Sequence, residues 1–293
     1  MAIKHLRNPH FRLFIGAFLI SFSPIFVRLV SVSPTASAFY RTLFGAIALL
    51  VYLLIVRGRQ LPRRAIWLAL ASATLFFALD LWFWHRSVLL IGPGLSTLIA
   101  NLQVFFMIAA GWLLFRERPG WIQIVAAPIA IAGLALIAGA DWSALEDGFR
   151  LGMVLGLLTA VSYAGYLLSM RRARNHSSDP LPIVEVATVS VFVSLILGAT
   201  ALAEGTSLAI PTLGDFGWLL AYGVLAHAVG LMLIASSLIE VTAAEVGIAL
   251  LLQPALSLLW DVLIFQRAFS AIEGFGVVLT LAAIYLGSQR RAP

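Results

Sequence analysis

The chain predicts an all-α integral membrane fold: ten transmembrane helices in two inverted five-helix repeats, with the N-terminus and C-terminus both cytoplasmic. Three observations carry this expectation. The 293 residues are 61% hydrophobic and 11% charged, with a mean hydropathy of +1.01, more apolar surface than a soluble domain of this length can bury. Apolar stretches of about 20 residues, the length that crosses a bilayer, recur along the chain with short polar connections. Lys and Arg gather in alternate connections.

In chain order, the spans fall near 12–30, 35–56, 65–90, 94–115, 119–139, 149–170, 181–203, 213–238, 243–265 and 270–288. The N-terminal MAIKHLRNPHFRLF is basic, and no small-residue cleavage site follows its apolar stretch, so it reads as a retained tail rather than a signal peptide. Pro24 interrupts the first span, because a proline inside a helix removes one hydrogen bond and frees a carbonyl. Pro34 opens the second span, and Arg57 to Arg64 forms a basic turn. The third and fourth spans meet at Gly92-Pro93-Gly94, an expected hinge. They carry Asp80, Trp82, Trp84, His85, Arg86, Asn101 and Gln103 within apolar sequence. Pro119 starts the fifth span, whose Gly133 to Gly139 run reads as helix packing. The 141–148 connection is acidic, and the sixth span ends in Arg171-Arg172-Ala173-Arg174. The ninth span contains Gln253-Pro254, a second expected break and hinge at Pro254.

With the N-terminus inside, fourteen Lys and Arg residues fall on the inner side, from Lys4 to Arg291. Only Arg150 and Arg267 fall on the outer side. Arg28, Arg41 and Arg86 lie within spans or at their ends. That asymmetry sets the orientation, and the acidic residues Glu204 and Asp215 lie outside. The net charge of +6 therefore reports topology, not nucleic-acid binding. The absence of cysteine excludes disulfides and thiolate metal sites.

Shifting the third and fourth spans by 150 residues brings them onto the eighth and ninth without a gap. Ala78 meets Ala228, Leu81 meets Leu231, Ser87 meets Ser237, Gln103 meets Gln253 and Phe115 meets Phe265. Five helices repeated after an odd number enter the membrane from opposite sides, an inverted repeat, with a substrate site expected at the midplane between copies. The chain is accordingly one membrane domain, 1–293, with repeat one at 1–140 and repeat two at 149–290.

Ionisable groups inside a bilayer are expensive, about 2.5–3.5 kcal/mol each on insertion scales, and so point to partners or to function. Asp80 and Trp84 share one helix face, while His85 points away from Asp80 by about 140°. Asp80, His85 and His227 are the candidates for carrying a coupling proton, with facilitated diffusion equally open. Trp82, His85, Asn101, Gln103, Tyr163, Tyr166, His227 and Gln253 are the candidate substrate-binding residues. Each has a structural alternative: interhelical hydrogen bonds for the amides, packing for the histidines, and an interfacial belt for the tryptophans. Arg41 and Arg86 are expected to snorkel or to sit in structural ion pairs, and Glu185 and Asp261 to be structural. No zinc HExxH pair, nucleophile elbow or phosphate-binding glycine loop occurs, and no cofactor is expected.

Phe39-Tyr40-Arg41-Thr42-Leu43-Phe44-Gly45-Ala46 resembles the FxRxxxxA-type pattern of the drug/metabolite transporter superfamily. Phe115-Arg116-Glu117-Arg118 resembles the segment that closes helix 4 in that superfamily. Val104 stands where the family usually has proline; the second copy keeps Pro254, while Arg267 replaces the usual acidic residue. The resemblance covers essentially the whole chain, is of the EamA type, and is closest to the aromatic amino-acid exporter group. It implies a ten-helix secondary transporter whose helices 1, 3, 4, 6, 8 and 9 line a central cavity, with helices 5 and 10 peripheral. Its implied partners are the lipid bilayer and a small-molecule substrate, in the inner (cytoplasmic) membrane, moved by alternating access. Other amino acids, a cationic drug or a nucleotide sugar remain as substrates, and an intramembrane lipid-modifying enzyme remains as a different class.

Overall fold

The computed structural model describes residues 8–57, 62, 64–115, 119–138, 146–174, 182–237, 243–268 and 270–288, and these are helices and connections without a strand. The first span is two pieces, α1 (Pro9–Ser21) and α2 (Ser23–Leu29), hinged at Phe22 with Pro24 in the first turn of α2. The Asn8 side chain caps α1 by accepting from the His10 and Phe11 amides, with Pro9 at the first helical position. Ser33 and Pro34 open α3 (Pro34–Tyr52) in the same way. Then follow α4 (Trp67–Ile91), α5 (Pro93–Ala100), α6 (Gln103–Phe115), α7 (Trp121–Ala138), α8 (Asp147–Arg174) and α9 (Ile183–Ala203). The chain ends with α10 (Leu213–Ala221), a π-helical stretch Tyr222–Gly230, α11 (Leu231–Ser237), α12 (Ala243–Phe265) and α13 (Ala271–Ser288).

Seven of the described helical stretches are long and apolar enough to cross a membrane, and three more apolar helices, at 121–137, 252–265 and 271–286, are shorter. The polarity of the fold is that of a membrane protein. Leu54, Ile55, Leu68, Leu202 and Trp121 lie on the outside, while Asp80, His85, Glu185, His227 and Asp261 are buried.

Three departures from the predicted spans occur. The fourth span is not continuous: it breaks at Asn101-Leu102, where the Asn101 amide donates to the Thr97 carbonyl and competes with the helical ladder. The eighth span contains the π-helical stretch, which carries Tyr222 and His227 and widens the turn that holds them. Pro254 does not break the ninth span. It is buried inside a continuous α12 and only deprives the Leu250 carbonyl of its helical donor.

Packing follows from small residues. α4 lies along α8, α3 along α9, and α7 along α13; α1 packs against α11, α12 and the π-helical stretch. The predicted packing role of Gly133 is met, since a Cβ there would overlap Thr280 and the Gly276 carbonyl of α13. One apolar core joins α3, α4, α8 and α9, a second joins α5, α7, α8 and α13, and a third surrounds Trp84 and Tyr222.

Candidate functional site

α4 brings the central polar residues together because its two turns Phe77–Leu81 and Trp84–Val88 face neighbours from both halves of the chain. His85 is fully buried. Its Nδ1 stands 2.7 Å from the Leu81 carbonyl, which can only accept, so Nδ1 carries the hydrogen. In the neutral ring Nε2 is then an acceptor, and the Tyr222 hydroxyl donates to it at 3.2 Å. Arg41 Nη1 donates to the same hydroxyl oxygen at 2.9 Å. The result is a directional chain from Arg41 through Tyr222 and His85 to the backbone of α4, joining α3, α4 and the π-helical stretch.

Beside it runs an aromatic ladder. Tyr163 stacks on Tyr166 with centroids 5.6 Å apart, Tyr166 on Phe77 at 4.5 Å, and Phe77 on the His227 ring at 5.9 Å. His227 is sealed in the core. Its Nε2 meets the Ser190 hydroxyl at 2.8 Å, and its Nδ1 is buried without a partner. Gly45 makes room for that ring, because a Cβ at position 45 would overlap His227 Cδ2. Asp80 and Arg41 lie within electrostatic range of Tyr163 and Tyr166.

The expectation that Arg41 snorkels or sits in an ion pair is corrected. The guanidinium is buried, leans over the Tyr222 ring at 5.0 Å and the Trp84 ring at 5.7 Å, and has no carboxylate within 4.0 Å among the described residues. The polar centre therefore draws on α3 and α9, through Arg41 and Ser190, as well as on the helices implied to line a cavity. The unusual FYRTLFGA segment held the signal for Arg41 and for Gly45. Tyr222 had no such signal, because a tyrosine in a span reads equally well as an interfacial residue.

The remaining candidates lie elsewhere. Trp82 joins the place where α4 ends: its Nε1 donates to Glu204 at 2.8 Å and its ring lies 3.7 Å from the Arg86 guanidinium. Arg86 pairs with Glu204 at 2.8 Å and also donates to Thr35, whose hydroxyl donates to Glu204. Asn101 spends its amide on Thr97. Gln103, first residue of α6, and Gln253, in α12, are half-buried, and neither is hydrogen-bonded to another described residue. Gly92 closes α4 with a φ of 88°, a conformation that favours glycine, and Pro93 starts α5. The Gly94 amide donates to Asp261 Oδ2 at 3.1 Å, and Arg28 and Arg267 stand 3.7 and 3.6 Å from the same carboxylate. Arg267 also donates to the Ile91 carbonyl at 2.7 Å. A third link joins the Ser31 amide to Asp215 at 2.8 Å. Glu204, Asp215 and Asp261 thus each tie the second half of the chain to the first at the end of the bundle where α2 and α4 stop. The charged segment Arg116 to Arg118 and Asp141 of the acidic connection lie outside the described residues.

The EamA-like transporter family's profile matches twice, over residues 9–139 and 150–288. The chain belongs to the EamA-like transporter family. It is a multi-pass membrane protein of a family of small-metabolite transporters, and the all-helical architecture fits the two-repeat fold of that family. Solved structures agree. Twenty-eight chains match, among them a crystal structure titled only as that of a protein, at 16% identity and a TM-score of 0.68, covering 95% of this chain and 96% of the other. At that identity the likeness shows the fold alone. No curated protein matches this chain.

Proposed function

We propose that this EamA-like chain is a secondary transporter that exports amino acids with aromatic side chains across the inner (cytoplasmic) membrane by alternating access. In this reading ten helices span the bilayer, both termini are cytoplasmic, and the halves 1–140 and 149–290 rock about a central site. The observation that carries it is the ladder Tyr163–Tyr166–Phe77–His227, assembled from both halves beside the buried charges of Arg41 and Asp80. Stacked rings favour a planar aromatic guest, each good aromatic pair adding about 0.5–1.5 kcal/mol beyond burial. The half-buried amides of Gln103 and Gln253, with no hydrogen-bond partner among the described residues, are available to a passing substrate, with Asn101 and Trp82 further along the path. Gly92, Pro93 and Gly94, with Pro24, are the bending points. Asp80, His85 and His227 are the groups through which a proton gradient would act.

Polar groups of both halves converge on one centre, which supports transport over an intramembrane lipid enzyme, since the latter needs paired catalytic groups at one depth. The test is counterflow of radiolabelled phenylalanine and tryptophan in proteoliposomes, with and without a pH gradient. Exchange of both is expected. Exchange of neither removes the aromatic assignment, and a rate indifferent to the gradient removes the proton.

A further inference from the structure

The central charges of the bundle are unmatched in a specific way. Asp80 is 6% exposed, and its carboxylate accepts no hydrogen bond from a described residue. Arg41 is 7% exposed; it uses Nη1 on Tyr222, while its Nε is buried with no partner and Nη2 makes no hydrogen bond. The two groups feel each other's field, yet no nitrogen–oxygen distance between them reaches 4.0 Å. Burying one charge without a partner is unfavourable, and holding two opposite charges near each other but apart does nothing for stability that closing the gap would not do better.

We propose that Arg41 and Asp80 are the two poles of a zwitterion site, the guanidinium taking a substrate's carboxylate and Asp80 its ammonium group. The Nε and Nη2 edge of a guanidinium presents two parallel N–H donors, the fork that matches a carboxylate. Tyr222 occupies only Nη1, so it orients the guanidinium and leaves that edge unused. Asp80 offers oxygen acceptors only, which suits an ammonium group. Tyr163 and Tyr166 lie within electrostatic range of both charges, so a substrate held by its backbone charges would rest its side chain against the ladder. The transported class is then free α-amino acids, rather than amines or carboxylic acids. This assignment rests on the transporter reading above but not on the aromatic preference.

The test is binding of four compounds to the purified full chain, read as a thermal shift and as inhibition of counterflow: L-phenylalanine, L-leucine, 2-phenylethylamine and 3-phenylpropionate. The two analogues that lack one charge are expected to bind about tenfold more weakly, or worse, than phenylalanine. Asp80→Asn is expected to bring phenylalanine and 3-phenylpropionate to equal affinity, and Arg41→Lys to lower phenylalanine affinity while sparing 2-phenylethylamine. Should either variant fail to fold, the four compounds on the unaltered chain decide alone. Leucine binding without phenylalanine binding upholds the zwitterion site and sinks the aromatic preference. An amine or acid that binds as well as phenylalanine overturns the zwitterion site and leaves the aromatic preference standing. No binding of either amino acid overturns both.

Discussion

Tyr222 stands between Arg41 and His85, its oxygen accepting from the first at 2.9 Å and its hydroxyl hydrogen donated to the second at 3.2 Å. One residue of the π-helical stretch therefore fixes both the guanidinium on α3 and the ring on α4. Removing the hydroxyl in Tyr222→Phe keeps the ring stacked on Phe26 but leaves a buried guanidinium N–H and a buried imidazole nitrogen unpaired. Each such group costs about 1–3 kcal/mol. A lower unfolding temperature in detergent and weaker substrate binding are expected together. Unchanged stability and unchanged transport would show that the chain Arg41–Tyr222–His85 is not what holds the centre.

Gly45 is set against the His227 ring with no space for a side chain. Gly45→Ala forces the ring, the Ser190 contact and the π-helical stretch to shift, so a loss of about 1–3 kcal/mol is expected. Gly217, on the exposed face of α10, has open space around it. Gly217→Ala should instead be neutral or stabilise by up to about 1 kcal/mol, since alanine restricts the unfolded chain. Thermal melts of the two variants in one detergent check the contrast.

The contrast between these sites also marks what the sequence makes legible. The membrane class, the break at Gly92-Pro93 and the polar character of the third span follow from hydropathy, glycine, proline and lone charges, which are local signals. Asp80, His85, Tyr163, Tyr166 and His227 stand out because polar groups are rare in apolar spans. Two of their partners do not: Ser190 meets His227 across 37 residues and Tyr222 meets His85 across 137. The offset of 150 residues singles out Gln103 and Gln253, because equal residue types at equal spacing read as one wall. The hydrogen-bonded chain gathers around α4, and neither glutamine is one of its links. Repeat symmetry carries residue positions over, and it does not carry over the contacts, because Arg41 and Asp80 have no polar counterpart at 191 and 230.

That reasoning separates the glutamines from the charges. Gln103→Ala and Gln253→Ala remove no hydrogen bond to protein, so near-native stability is expected for both. If they contact substrate in passing, counterflow should fall by a few-fold, well short of the loss in Arg41→Lys. A collapse of stability in either alanine variant would mean that the glutamine is a structural partner instead.

Glu204 sits just beyond α9, and its acidity is set by opposing influences. Burial pushes its carboxyl up, and the hydrogen bonds from Thr35, Trp82 and Arg86 together with the Arg86 charge outweigh it, leaving it below 4.5. A carboxyl depressed in the folded state contributes stability that is complete above its unfolded value and is lost as pH falls through the folded one. Glu204 therefore stays ionised across pH 5–8, where carboxylates of ordinary acidity are already charged, and the contact between halves holds. Acidification through its depressed folded value is expected to loosen it, as is Glu204→Gln at neutral pH. Because the chain has no cysteine, a single Val88→Cys in the buried core beside Trp84 reports directly on opening. Faster maleimide labelling in Glu204→Gln than in the parent at pH 7 is the expected result. Equal labelling at pH 7 would mean that the Arg86–Glu204 pair is not a restraint on the two halves.

Asp261 makes the strongest of the three links, because its side chain is fully buried and faces the Gly94 amide, Arg28 and Arg267 at once. Breaking a buried ion pair by removing one partner costs about 3–5 kcal/mol, since the other charge stays behind unpaired. Asp261→Asn takes the carboxylate charge from beside Arg28 and Arg267 and keeps one oxygen for the Gly94 amide. A fall in unfolding temperature is expected, larger than that of Glu204→Gln, whose pair is part-exposed and screened. If Asp261 restrains the Gly92-Pro93-Gly94 bend rather than only the fold, the same variant should also raise Val88→Cys labelling at temperatures far below unfolding. A lower melting temperature without faster labelling would assign Asp261 to stability alone and take the bend out of the transport cycle.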